Sequence, residues 1–285
     1  MPRVGHVALA GAPNAGKSSL LNRLIGADLA IVSPKAQTTR LPVTGLRSTD
    51  QAQLILHDLP GLLEPQYALH SRMLDAAREV LGKVHVILHL HPAPDYPAPA
   101  FWPLTGLEKF PEVPVLQVYT KADLLGAAAR VRLGDALLVS SVDGAGIEAL
   151  ASRIEGHLPE ADYQFDREDL GTQPVRFFAA EYVREGAFQE LEQELPYALA
   201  VEVEEFREHT RPMYIRVTLL VERESQKGMV VGRGGRTLKA IGQHARARLE
   251  ALVGQPVFLD CWVKVSHNWR RNPAALDRLG FPERG

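Results

Sequence analysis

The sequence predicts an α/β architecture: a mostly parallel sheet covered by helices on both faces, followed by a smaller α+β domain. Three observations predict it. Apolar runs of strand length alternate with helix-like segments from residue 4 to residue 158. A glycine-rich turn, Gly11–Ser18, stands where the first strand-like run meets the first helix-like one. After a polar stretch at 160–174 the order of elements changes.

The elements follow in order. Val4–Ala10 is an apolar strand, and Lys17–Gly26 is helix-like. Pro42–His57 is rich in strand formers with turn residues Ser48, Thr49 and Asp50 at its centre, which reads as a hairpin placing one antiparallel edge strand. Ala68–Leu81 has helical spacing; Val84–Leu90, Val113–Tyr119 and Ala136–Val139 read as strands, and Ile147–Leu158 as the last helix. Between them His91–Pro103 carries five prolines in thirteen residues and reads as an irregular surface excursion. The expected division is a first domain at 1–159, a linker at 160–174 and a second domain with a C-terminal tail at 175–285. The second domain reads as a helix (Val175–Leu195), strands (Ala198–Phe206 and Met213–Glu222), a glycine-rich turn, a helix (Thr237–Val253) and a strand (Pro256–Val265).

With 285 residues, 46% hydrophobic and 23% charged, the chain has room for a sizeable core in each of two domains. The net charge of −2 hides an uneven distribution. From Glu181 to Glu208 there are nine acids against Arg184 and Arg207; from Arg211 to Arg271 there are twelve Lys and Arg against four acids. The single Cys261 excludes an internal disulfide and reads as a core residue. The amino terminus runs straight into a strand without a signal-peptide pattern, and no apolar stretch approaches the roughly 18 residues of a membrane span. The expected location is cytoplasmic, or at most peripheral on the inner face of the cell membrane.

The turn at 11–18 reads Gly-Ala-Pro-Asn-Ala-Gly-Lys-Ser, a complete GxxxxGK[ST] loop between a strand and a helix. Gly11 and Gly16 allow backbone conformations that aim successive N–H groups, those of Ala12, Asn14, Ala15 and Ser19 among them, around phosphates, with Pro13 shaping the loop without an N–H of its own. Lys17 reaches the outer phosphate oxygens, and Ser18 is placed to hold Mg²⁺. Asp58-Leu59-Pro60-Gly61 follows a strand and gives DxxG, with a carboxylate for Mg²⁺ and the Gly61 amide for a γ-phosphate. In Lys35–Arg40, one hydroxyl of Thr38 or Thr39 can complete Mg²⁺ coordination while the γ-phosphate is present; Thr39 is favoured. Lys17, Thr39 and Gly61 are therefore the expected catalytic set. Thr120-Lys121-Ala122-Asp123 ends a strand, and the Asp123 carboxylate suits the paired donors of guanine, which adenine lacks. Ser140-Ser141-Val142 follows another strand and offers the Ser141 amide to the guanine carbonyl. Leu62 stands where a water-orienting Gln is common, so slow intrinsic turnover is expected.

Downstream, Gly228–Gly235 precedes a helix in the basic part of the chain. Gly232, Gly234 and Gly235 allow close approach of a phosphate backbone, and Arg233, Arg236 and Lys239 add charge where it would pass.

Residues 4–158 resemble the translation-factor-related GTPases, with Thr120 and Ser141 where Asn and Ala are usual; the resemblance implies a P-loop G domain that uses GTP, GDP and Mg²⁺. Asn14 matches an asparagine that ligates K⁺ in some of these GTPases, although a turn residue of this type serves equally well. The segment around Gly232–Gly235 resembles the GxxG loop of KH domains, here of type II, which clamps single-stranded nucleic acid. Together with Lys35–Arg40 and Leu195–Val203, the whole chain resembles the Era family of bacterial GTPases. That resemblance implies binding of the single-stranded 3′ region of 16S rRNA, a role in small-subunit maturation, peripheral membrane association and a monomer. The alternatives are a constitutive RNA-binding module with a G domain that does not switch, and a membrane-associated signalling GTPase.

Overall fold

The structure is a computed structural model that describes residues 1–35, 37–109 and 111–283. Ala36 of the Lys35–Arg40 motif and the last two residues of the expected second domain lie outside them. The chain divides into two compact units, one holding Met1–Gln66 and His70–Thr172, the other Tyr67–Leu69 and Gln173–Glu283.

The first unit runs β1 (Arg3–Ala10), α1 (Lys17–Ile25), β2 (Val43–Ser48), β3 (Ala52–Asp58), α2 (Ala68–Leu81), β4 (Val86–Pro92), α3 (Phe101–Thr105), β5 (Val115–Thr120), α4 (Ala127–Leu133) and α5 (Ile147–Glu155). The sheet order is β2-β3-β1-β4-β5, with every pair parallel except the β2–β3 hairpin. Val7, Leu9, Leu54, Leu56, Val86 and Leu88 are fully buried, as expected of central strands covered on both faces. From β1 the chain crosses to β3 on one side, and from β3 back past β1 to β4 on the other. The ends of β1, β3 and β5 therefore open onto one crevice.

Four details of this unit differ from the sequence expectation. Ala136–Val139 is a single parallel bridge, Tyr119 to Leu138, and not a strand. The Gly134 kink precedes it, and Ser140 turns away to bond Ala145 directly after it, so only one rung forms. His91–Pro103 contains a short helical turn at Ala93–Asp95 and the start of α3. Helix α4 was not expected at all; its exposed Ala-Ala-Ala-Arg-Val-Arg run lacks an apolar stripe. The stretch 160–172, expected as a linker, is bound along this unit. The Gln53 amide, fully buried, accepts from the backbone of Gln164 and Phe165 and donates to the Phe165 carbonyl and to Ser48. The Leu46 amide donates to the Leu170 carbonyl at 2.9 Å, and Gly45 bridges Gly171, so this stretch covers the open side of edge strand β2. Ala161, Tyr163 and Phe165 pack on buried Val4, Leu46 and Ile55.

The second unit runs α6 (Val175–Glu190), β6 (Ala200–Arg207), β7 (Met213–Val221), α7 (Glu224–Val231), α8 (Arg236–Val253), β8 (Val257–Val265) and α9 (Pro273–Arg278). Its sheet order is β6-β7-β8, antiparallel and then parallel. Helix α6 stops at Glu190, short of the expected Leu195, because Gln193 turns left-handed and Pro196 restricts the residue before it. Helices α6 and α8 approach closely at Gly186, where a Cβ would lie 2.9 Å from the Ile241 carbonyl oxygen. The turn before α8 is entered from a helix, α7, that the sequence did not reveal: glycine at 228 lowers its helix signal. No helix among the described residues is long and apolar enough to cross a membrane.

Candidate functional site

The crevice at the strand ends is built first by the turn Gly11–Gly16. Gly11 has φ 150°, and a Cβ there would meet the Leu90 carbonyl oxygen at 2.3 Å, so β4 excludes any side chain at this position. Asn14 and Gly16 are left-handed, and Gly16 caps α1. The first amides of α1 thus face the crevice, which suits an anion. Lys17 folds back, its Nζ donating to the carbonyls of Ala12 at 2.9 Å and Gly11 at 3.3 Å. Burial pushes the Lys17 ammonium down to about 8, against the opposing pull of Asp58.

Three oxygen ligands expected for Mg²⁺ converge although they lie on different elements. Ser18 Oγ donates to Asp58 Oδ2 at 2.6 Å, Thr39 Oγ1 donates to the same oxygen at 3.0 Å, and the two hydroxyls are 3.0 Å apart. Asp58 is fully buried, burial raises its pKa, and its Oδ1 has no hydrogen-bond partner among the described residues. A buried orphan carboxylate oxygen flanked by two hydroxyls is an all-oxygen donor set that fits a hard divalent cation. Thr38 lines the same crevice without joining this set; Thr39 alone does.

Gly61 is pressed on the phosphate loop: a Cβ there would come within 2.8 Å of Pro13. Leu59 and Leu62 turn inward and pack with Ala8, Ala10 and Leu74, while the Leu62 amide donates to the Gly11 carbonyl at 3.0 Å. Pro60 is buried between them. The crevice, about 330 Å³, is lined by Asn14, Ser19, Gly61 and Lys121 together with residues 31–34 and 37–39. Asn14 Nδ2 donates to the Pro34 carbonyl at 3.2 Å, which uses its amide as a tie between two loops.

The residues expected to read the base begin at the end of β5. Thr120 is buried and donates to the Ala15 carbonyl at 2.8 Å, bracing the phosphate loop. Left-handed Lys121 starts the short turn that holds Ala122 and Asp123. Ser140 Oγ donates to Asp123 Oδ1 at 2.8 Å and accepts from the amides of Val142 and Asp143. Ser141 and Val142 border a second hollow of about 830 Å³ that also includes Ser19, Arg23, Asp28 and Val32. Asn22 is not foreshadowed by any motif; its buried amide binds the backbone of Leu29 and Ala30 and anchors the loop after α1. A lone Asn inside a helix carries no such signal.

In the second unit, Gly232, Gly234 and Gly235 all have positive φ, at 72°, 62° and 77°. At Gly232 a Cβ would lie 2.2 Å from Thr237 Oγ1, so the turn tightens directly onto α8. Arg233, Arg236 and Lys239 are exposed, with no acidic partner among the described residues. They form a set of free cations beside an unhindered backbone turn.

Comparison with known proteins agrees with both units. Residues 6–121 match the family described as 50S ribosome-binding GTPase, and residues 194–270 match the KH domain. The chain is 37% identical to a GTPase Era of Nocardioides sp. and 38% identical to one of Desulfovibrio desulfuricans, in each case over 98% of this chain and 96–97% of the relative. Among solved structures, Aquifex aeolicus Era bound to GDP·AlF4⁻ is 34% identical with a TM-score of 0.91, covering 99% of this chain and 100% of that one. Era in complex with MgGDPNP and nucleotides 1506–1542 of 16S ribosomal RNA matches at 34% identity and a TM-score of 0.93, with the same coverage.

Proposed function

The chain belongs to the Era family of GTPases, and on that premise we propose that it is a GTP-controlled RNA-binding switch of small-subunit assembly, with the 3′ region of 16S rRNA as its RNA. It hydrolyses GTP to GDP and phosphate. One observation carries the switch reading: Ser18, Thr39 and Asp58, from three separate elements, meet oxygen to oxygen beside Lys17. Thr39 stands on a loop, so its contribution depends on what the loop is offered.

In this reading the amides of Gly11–Ser19 cradle the phosphates and Lys17 Nζ exchanges loop carbonyls for the outer phosphate oxygens. Ser18, Asp58 and Thr39 hold Mg²⁺, which when bound neutralises charge on the transferring phosphoryl group. The Gly61 amide meets the γ-phosphate. Asp123, held through one oxygen by Ser140, accepts from guanine, and the Ser141 amide donates to its carbonyl. Leu62, packed in the apolar interior, does not orient water, which leaves intrinsic turnover slow. Arg233, Arg236 and Lys239 take RNA phosphates as the strand passes Gly232–Gly235. Because Thr39 engages only the triphosphate complex, GTP and GDP differ in free energy at residues 37–40, and that difference is what biases RNA binding.

Crosslinking of GTP-loaded protein to total RNA tests the reading. Recovery of fragments from the 3′ end of 16S rRNA, lost in Lys17→Ala, is expected. Recovery of the same fragments from Lys17→Ala, with subunit maturation intact, favours a constitutive RNA-binding module. Retention on anionic vesicles with no RNA recovered favours a membrane-associated GTPase.

A further inference from the structure

Thr39 reaches Asp58 at 3.0 Å, yet the residue that leads into it, Gln37, adopts a left-handed φ of 59°, which is costly for a residue with a Cβ. A side-chain contact offsets that cost. Gln37 Oε1 lies 3.1 Å from Nε2 of His70, while the Gln66 backbone amide donates to His70 Nδ1 at 3.5 Å. With Nδ1 accepting, the ring carries its proton on Nε2 and donates it to Gln37. His70 is 4% exposed and lies in the first turn of α2, on the stretch that follows Gly61. One buried imidazole therefore joins the chain just before Thr39 to the chain just after Gly61, the two stretches assigned to the γ-phosphate.

We propose that His70 is a positioning residue for GTP: by holding Gln37 it keeps the Thr39 hydroxyl where the triphosphate complex needs it, and so sets how strongly the protein prefers GTP to GDP. The proposal rests on the assignment of Thr39 to the metal of the triphosphate complex. A hydrogen bond that biases residues 37–40 toward their engaged position strengthens only a ligand that uses that position; a diphosphate, which does not, gains nothing. The net worth of one such bond corresponds to about a two- to tenfold preference.

Affinities for a non-hydrolysable GTP analogue and for GDP, both with Mg²⁺, measured on the full chain, test it. His70→Ala and Gln37→Ala are each expected to weaken the analogue about two- to tenfold and leave GDP unchanged, with the double variant no weaker than either single one. His70→Gln, whose amide N–H can donate to Gln37, is expected to recover most of the loss. Unchanged analogue affinity, equal losses for both nucleotides, or additive losses in the double variant overturn the proposal. Thr39→Ala in the same assay separates the two levels. If it lowers the GTP-to-GDP preference and His70→Ala does not, only the role of His70 falls; if Thr39→Ala leaves the preference unmoved, both fall.

Discussion

At the scale of single residues, two positions that depart from common GTPase patterns are explained by what their side chains touch. Thr120 has a hydroxyl that donates to the Ala15 carbonyl at 2.8 Å, so its task is to brace the phosphate loop against β5. Thr120→Ala leaves that buried carbonyl without its donor and is expected to weaken GTP and GDP alike by about 1–2 kcal/mol, checked by calorimetric titration. This parallel loss contrasts with the selective one expected at His70. Leu62 is the second case. It occupies apolar space with Leu59 and Leu74, so Leu62→Gln places an amide among hydrocarbons and does not restore a water-orienting group. The expected outcome is a loss of about 2 kcal/mol in urea unfolding with no gain in hydrolysis rate.

At the scale of elements, the hairpin, β1 and the stretch after α5 are joined by a directed relay. Gln164 Oε1 accepts from His6 Nε2 at 3.1 Å, His6 Nδ1 from His57 Nε2 at 2.9 Å, and His57 Nδ1 from Thr44 Oγ1 at 3.1 Å. Each ring is used once as donor and once as acceptor, which only neutral imidazoles can do. Burial, with His6 alongside, pushes His57 down to about 4, and burial also lowers His6. Below the ordinary pKa of 6.5 the unfolded chain takes up a proton that the folded chain refuses. Stability from His57 is therefore complete above pH 6.5, falls as pH drops toward about 4 and levels off below, a loss on the order of 3 kcal/mol. Urea unfolding between pH 7 and 4.5 is expected to be less steep in pH for His57→Gln than for the natural chain. In the other unit the basic turn supports a simpler expectation. Lys239→Ala is expected to lower the salt slope of RNA binding by about 0.7, the share of one phosphate on a single strand, while GTP affinity stays unchanged.

At the scale of the whole molecule, the sequence made the nucleotide crevice legible because its parts are short, strand-terminal motifs. Gly11–Ser18, Asp58–Gly61 and Thr120–Asp123 stand at the ends of β1, β3 and β5, as the alternating apolar runs implied, and Ser140-Ser141 follows the single bridge between Leu138 and Tyr119. What stayed hidden were contacts between side chains remote in sequence: Gln37 with His70, Asn22 with Leu29 and Ala30, Gln53 with 164–165. A polar residue with one distant partner leaves no periodic trace. The stretch 160–172 reads as a linker for the same reason, since its polarity is that of a linker and its partners lie more than a hundred residues back. A fragment ending at Thr172 is expected to unfold at higher urea than one ending at Pro159, which loses the bonds to Gln53 and the packing on Val4, Leu46 and Ile55. The shorter fragment also uncovers the outer edge of β2, a row of unpaired amides and carbonyls next to apolar side chains. Such a fragment is a template for its own copies: it is expected to polymerise edge to edge, because the thirteen residues that resemble a tether no longer occupy that edge.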